Sequence, residues 1–193
     1  MKPSKFIETN RIENKGIRLA SPAAKVSFTG ILGALALALA ALENLLPPIP
    51  VLPPGAKLGL SNIATMYAAQ SVGLLPALCI ALIKGLFAGM TRGAIAMLMS
   101  LSGGICSTLL MWLLVLRKDP PLFGWCGVGI LGSLAHNGAQ LCVAALLTSP
   151  AVAFYIPWLI LFGVLSGILT GLVLRVILPV LNIIPLPQGR QKP

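Results

Sequence analysis

The chain is poor in charge, and poorest in negative charge. Charged residues occupy 9% of its 193 positions and hydrophobic ones 57%, against roughly 25% charged in an ordinary soluble domain. A soluble domain of this size needs a polar shell that these residues cannot supply. The acidic residues are Glu8, Glu13, Glu43 and Asp119. With one aspartate, the chain cannot by itself build the aspartate-rich magnesium site of diphosphate chemistry. With one histidine, His136, and no Cys/His cluster of zinc spacing, it cannot build a zinc site either. No G-x-x-x-x-G-K-[ST] phosphate loop occurs, which excludes nucleotide hydrolysis by that route. Cys79, Cys106, Cys126 and Cys142 all sit in apolar stretches without C-x-x-C spacing, and read as small, buried, reduced residues. No cofactor or metal is expected, and no catalysis by the chain alone.

What the chain does have is positive charge and long apolar runs. The net charge of +10 would suggest nucleic-acid binding if it formed a patch. Instead the basic residues gather at the two ends and in one short loop, where lipid headgroups and membrane orientation explain them. Residues 1–25 read as a basic cytoplasmic segment with Lys2, Lys5, Arg11, Lys15, Arg18 and Lys25. The first apolar stretch, Val26 to Leu46, is longer than the 7–15 residues of a signal-peptide core and long enough to span a bilayer. It ends at Pro47, where the proline-rich run to Gly55 cannot continue a helix. The next stretch reads as two short spans, Leu60 to Val72 and Pro76 to Met90, broken around Gly73 and Pro76. Three more follow: Gly93 to Leu116, Gly124 to Leu147, and about Val152 to Leu174. Residues 26–180 therefore form one all-α transmembrane domain of six helices, followed by a tail over 181–193. With both ends in the cytoplasm, eleven of the 14 basic residues lie inside, as the positive-inside rule requires. Five spans would strand part of that charge outside.

Small residues recur four apart in three places: Gly30, Ala34 and Ala38; Gly85, Gly89 and Gly93; Gly163, Gly167 and Gly171. Each series opens a groove for another backbone, either within the bundle or on a separate subunit. Polar groups inside a membrane are the natural functional candidates. Lys84 lies well within the third span, as an anion ligand or as a partner of Glu43. Arg92 and Lys57 fall on the outer side, where three cations near one mouth suit a phosphate or carboxylate. In the fifth span Ser133, His136 and Gln140 share a face, with Asn137 beside them. They serve either a ligand or interhelical hydrogen bonding. Ser61, Asn62 and Gln70 add donors and acceptors in the second span.

Three segments carry a resemblance: Pro54 to Ile63 (Pro-Gly-Ala-Lys-Leu-Gly-Leu-Ser-Asn-Ile), Ser100 to Gly104 (Ser-Leu-Ser-Gly-Gly) and Ala135 to Gln140 (Ala-His-Asn-Gly-Ala-Gln). In this order, over about Val26 to Val180, they resemble the bacterial Gx transporter family, also called heptaprenyl diphosphate synthase component I. That family is similar to the substrate-binding S components of energy-coupling factor (ECF) transporters. The resemblance implies a six-helix bundle that captures a micronutrient from outside and works with a T component and two ATPases. It also implies that the loop from Pro47 to Leu58 folds over the site, and that Gly30, Ala34 and Ala38 face the T component.

The expected function is a substrate-binding transport subunit in the bacterial plasma membrane, for a small anionic or isoprenoid-related metabolite. Lys57, Asn62, Lys84, Arg92, His136, Asn137 and Gln140 would line its cavity. The alternative is a non-catalytic membrane subunit that serves a soluble prenyl synthase in isoprenoid or menaquinone synthesis. Prenyl elongation uses paired aspartate-rich motifs, which this chain lacks.

Overall fold

The computed structural model describes residues 21–45, 59–115 and 123–183. These form six helices: α1 (Pro22–Leu45), α2 (Asn62–Ser71), α3 (Leu74–Arg92), α4 (Ala94–Val115), α5 (Gly124–Leu147) and α6 (Ile156–Ile183). No strand occurs among the described residues. Helix α1 starts where Pro22 takes the first helical position and the Ser21 hydroxyl accepts the Ala24 N–H at 3.2 Å, a sequence-local signal for a helix start. Gly93 alone joins α3 to α4 at φ 92°, a left-handed conformation that glycine adopts without a Cβ clash. The break between α2 and α3 falls at Val72 and Gly73, while Pro76 sits in the first turn of α3, where its missing N–H is harmless. The last helix departs from expectation. Residues Pro150–Tyr155 form a 3-10 turn before it, so α6 begins at Ile156 and runs past Leu174.

Among the described residues, five helices are long and apolar enough to cross a membrane, and α2 is the exception. Its 10 residues span about 15 Å, half of a hydrocarbon core of about 30 Å. Yet α2 is the most enclosed element. Asn62, Ala64, Thr65, Met66, Tyr67, Ala68, Ala69 and Ser71 are all buried, against α1, α3, α4 and α6. The long helices show the opposite pattern. Leu82, Ile83, Leu86 and Met90 of α3 and Ile160, Leu161, Leu165 and Leu169 of α6 face outward. In water such a surface would aggregate; in lipid it is the solvated face. The chain is thus a multi-pass membrane protein. The cysteines need a correction here: Cys79, Cys106 and Cys142 are exposed and only Cys126 is partly buried. A thiol is apolar enough to sit on a lipid-facing surface.

The three small-residue series separate by location. A side chain on Gly167 or Gly171 would run into the backbone of α5 at Ile130 and Cys126, so α5 and α6 touch backbone to backbone. Gly85 is closed off by Leu101, and a Cβ on Gly89 would lie 3.0 Å from Met97 Sδ, which joins α3 to α4. By contrast Gly30, Ala34 and Ala38 all lie on the exposed face of α1, and nothing comes within 4 Å of a Cβ on Gly30. Gly167→Val should therefore destabilise the detergent-purified protein by at least about 1–3 kcal/mol, the usual penalty of overpacking. Gly30→Val should leave its melting temperature unchanged, so a thermal-unfolding comparison of the two checks the assignment.

Candidate functional site

Near the middle of the bundle, Lys84 is buried among apolar helices. Its ammonium donates to Asn62 Oδ1 at 2.9 Å and, at 3.4 Å, to Thr65 Oγ1. Asn62 and Thr65 lie one turn apart at the start of α2, so one short helix supplies both acceptors. The start of α2 is itself held from α1. Leu60 N–H donates to Glu43 Oε1 at 2.7 Å, and Glu43 is buried. The same carboxylate lies within electrostatic reach of both Lys84 and Arg92. Arg92 is exposed at the end of α3, about 12 Å further along the helix than Lys84.

From the opposite side, α5 contributes a pair. Gln140 Nε2 lies 2.9 Å from His136 Nε2. With Gln140 as the donor, His136 is neutral and carries its proton on Nδ1. That nitrogen is buried and makes no hydrogen bond of good geometry with the described residues. It faces Gly103 of α4, where a Cβ would stand 2.9 Å from both His136 and Gln140. Gly104, the next residue, has Ala81 of α3 at 3.3 Å from its would-be Cβ. Two successive glycines thus let α4 sit between α3 and α5 without pushing Lys84 and His136 apart.

These groups border one partly enclosed cavity. Lys84, Arg92, His136 and Gln140 line it, as do Glu43, Asn44, Ser61 and Ser100, with Ala40, Phe87 and Ala88 on its apolar side. Of the residues expected from sequence, four line the cavity and Asn62 acts one layer behind by holding Lys84. Asn137 goes elsewhere: its amide donates to the Leu159 carbonyl of α6 at 2.9 Å, an interhelical contact outside the cavity. Lys57 and the loop expected to cover the site lie outside the described residues. Phe87 and Asn44 carried no sequence signal. Glu43 did, being the single acidic residue inside a span, and Ser100 opens one of the three motifs.

Arrangement and fold together define a class: a helical membrane protein with a polar cavity between its helices. The fold matches a solved structure described as the S component of a bacterial ECF transporter, with a TM-score of 0.65 at 16% identity, over 84% of this chain and 97% of that one. No curated protein matches the chain. The family model for heptaprenyl diphosphate synthase component I matches residues 32–177, and the chain belongs to that family.

Removing the acceptor from under Lys84 tests the core of the site. Asn62→Leu should destabilise the protein by roughly 2 kcal/mol or more, because a buried ammonium then keeps only Thr65. Adding Lys84→Met to Asn62→Leu should restore part of the loss. A double-mutant cycle of unfolding in detergent should give a coupling of about 1–3 kcal/mol; additivity would mean that the contact carries no stability.

Proposed function

We propose that the chain is the membrane-embedded substrate-binding subunit of a transporter, and that the cavity between α1, α3, α4 and α5 receives a small anionic metabolite. One observation carries this reading. In a bundle with many large apolar side chains facing outward, eight polar side chains line one cavity. Polar groups in a membrane interior are retained at a stability cost, which points to a ligand. The likeness in fold to an ECF transporter S component supports the same reading. A long prenyl chain would need an extended apolar channel, and this cavity has an apolar side of only Ala40, Phe87 and Ala88. The lining therefore favours a polar anion over a polyisoprenoid.

Within this reading, Lys84 and Arg92 hold the anion while His136, Gln140, Ser61 and Ser100 set its orientation. The distribution of basic residues supports a bacterial plasma-membrane orientation with both chain ends in the cytoplasm, and in this reading the cavity opens outward. Energy comes from separate subunits, a T component and ATPases. The exposed stripe of Gly30, Ala34 and Ala38 is the face for the T component, since small residues let another helix approach closely. The family description favours a second reading, a membrane subunit that works with a soluble prenyl synthase.

Purification from the native membrane in mild detergent, followed by mass spectrometry of proteins and small molecules, separates the two. A T component, ATPases and an anionic metabolite are expected; a soluble prenyl synthase with a long-chain isoprenoid would overturn the proposal. Lys84→Ala and His136→Ala should lose the metabolite and its uptake. For Lys84→Ala the affinity should fall by at least about 30-fold, the lower end for losing a buried hydrogen-bonded charge. Gly30→Val should keep the metabolite and lose the partner subunits.

A further inference from the structure

Between Asp119 and Arg175 the chain contains no aspartate, glutamate, lysine or arginine. That stretch takes in α5, most of α6 and the connection between them. A connection that projects into water is ordinarily polar. This one consists of Thr148, Ser149 and the turn Pro-Ala-Val-Ala-Phe-Tyr. Its two hydroxyl side chains are spent on the chain's own backbone. The Thr148 hydroxyl donates to the Ala144 carbonyl at 2.6 Å, and the Ser149 hydroxyl oxygen accepts the Ala151 N–H at 3.2 Å. The Val152 N–H donates to the Ser149 carbonyl and the Ile156 N–H to that of Ala153. Pro150 and Pro157 have no N–H to satisfy. Backbone accounted for in this way tolerates a setting with little water.

What the connection shows to its surroundings is apolar. Phe154 is 87% exposed and Leu146 86%, and Ile156 and Trp158 are exposed as well. Such a patch marks a contact with lipid or protein, and its depth favours lipid. A Cβ on Gly132 would meet Met111, and one on Gly103 would meet His136 and Gln140, so α4 and α5 run antiparallel in a fixed register. Continued to the start of α4 at Ala94, that register brings Thr148 level with the turn that carries Arg92. The 24 residues of α5 span about 36 Å, a little more than a hydrocarbon core of about 30 Å. Phe123 and Trp125 stand at one end of this helix, and Tyr155 and Trp158 follow the other. Aromatic residues separated by one bilayer thickness mark its two headgroup boundaries.

We propose that the connection from Thr148 to Trp158 is an interfacial anchor. It lies in the headgroup–acyl boundary at the Arg92 end of the bundle, with Phe154 and Trp158 against lipid. The anchor fixes the depth of that end in the membrane and, with it, the depth of the cavity rim at Arg92. It belongs to the outer surface and does not depend on what the cavity binds.

Tryptophan fluorescence of the full chain in lipid nanodiscs, which leave both faces open to water, tests the anchor. The Trp158 signal is the emission that Trp158→Phe removes, so Trp112 and Trp125 stay in place. Trp158→Tyr gives the same subtraction if Trp158→Phe fails to fold. Phosphatidylcholine brominated near the headgroup end of its acyl chains should abolish most of the signal. Bromination near the methyl end should abolish less, and aqueous iodide should leave most of it intact. Strong quenching by iodide with little by either lipid would overturn the anchor, because the connection would then project into water. Stronger quenching from the methyl end would put the connection in the hydrocarbon core and overturn it as well. Protection from all three quenchers would mean that protein covers the connection, as a second copy or a partner, and would reject lipid as its occupant.

Discussion

A single ammonium in the middle of an apolar bundle organises this structure. Lys84 needs acceptors at its own depth, and the short helix α2 supplies two, Asn62 and Thr65. Both contacts fit the nearly complete burial of the 10-residue α2. Glu43 acts on the same helix: its carboxylate captures the Leu60 N–H just ahead of α2 and so pins the point where the helix starts. The unpaired N–H groups of a helix start are costly away from water, and here one backbone donor beside that start is satisfied by a residue that also balances charge.

Close backbone packing is the second constraint, and it acts on the same groups. Gly103 makes room for the His136–Gln140 pair and Gly104 for Ala81 of α3. Without both, α4 would wedge the two polar faces apart and the cavity would lose its common lining. Between α5 and α6 the glycines serve only adhesion: Gly129, Gly167 and Gly171 bring the backbones together, as lipid-embedded helices require when no hydrophobic drive separates them from their solvent. The same residue type therefore does two jobs, and on α1 a third arrangement remains, in which Gly30, Ala34 and Ala38 lie exposed and nothing among the described residues comes within 4 Å of a Cβ on Gly30.

Much of the candidate site could be read from polar residues stranded in apolar spans. Lys84, His136 and Gln140 stood out on that basis, and each borders the cavity. Asn137 stood out equally and lies elsewhere, bonded to the Leu159 carbonyl. Hydropathy marks both residues as anomalous and cannot say which partner satisfies them. Residues such as Phe87 and Ala88 are invisible to that logic, because an apolar side chain in an apolar helix carries no signal until its neighbours are known.

The sequence by itself determined the class of protein and the run of its spans. Those follow from local quantities: apolar length, proline and glycine breaks, and the distribution of basic charge. The family follows as well, from motifs in order along the chain. Only the tertiary structure decided that α2 is short and almost wholly buried, and that Glu43 lies near two cations. It alone sorted the small-residue series into two that pack inside the bundle and one that faces out. Each of those depends on which helix neighbours which, and at what depth. That information arises only when Lys84 has found its acceptors and the glycines have found the backbones they admit.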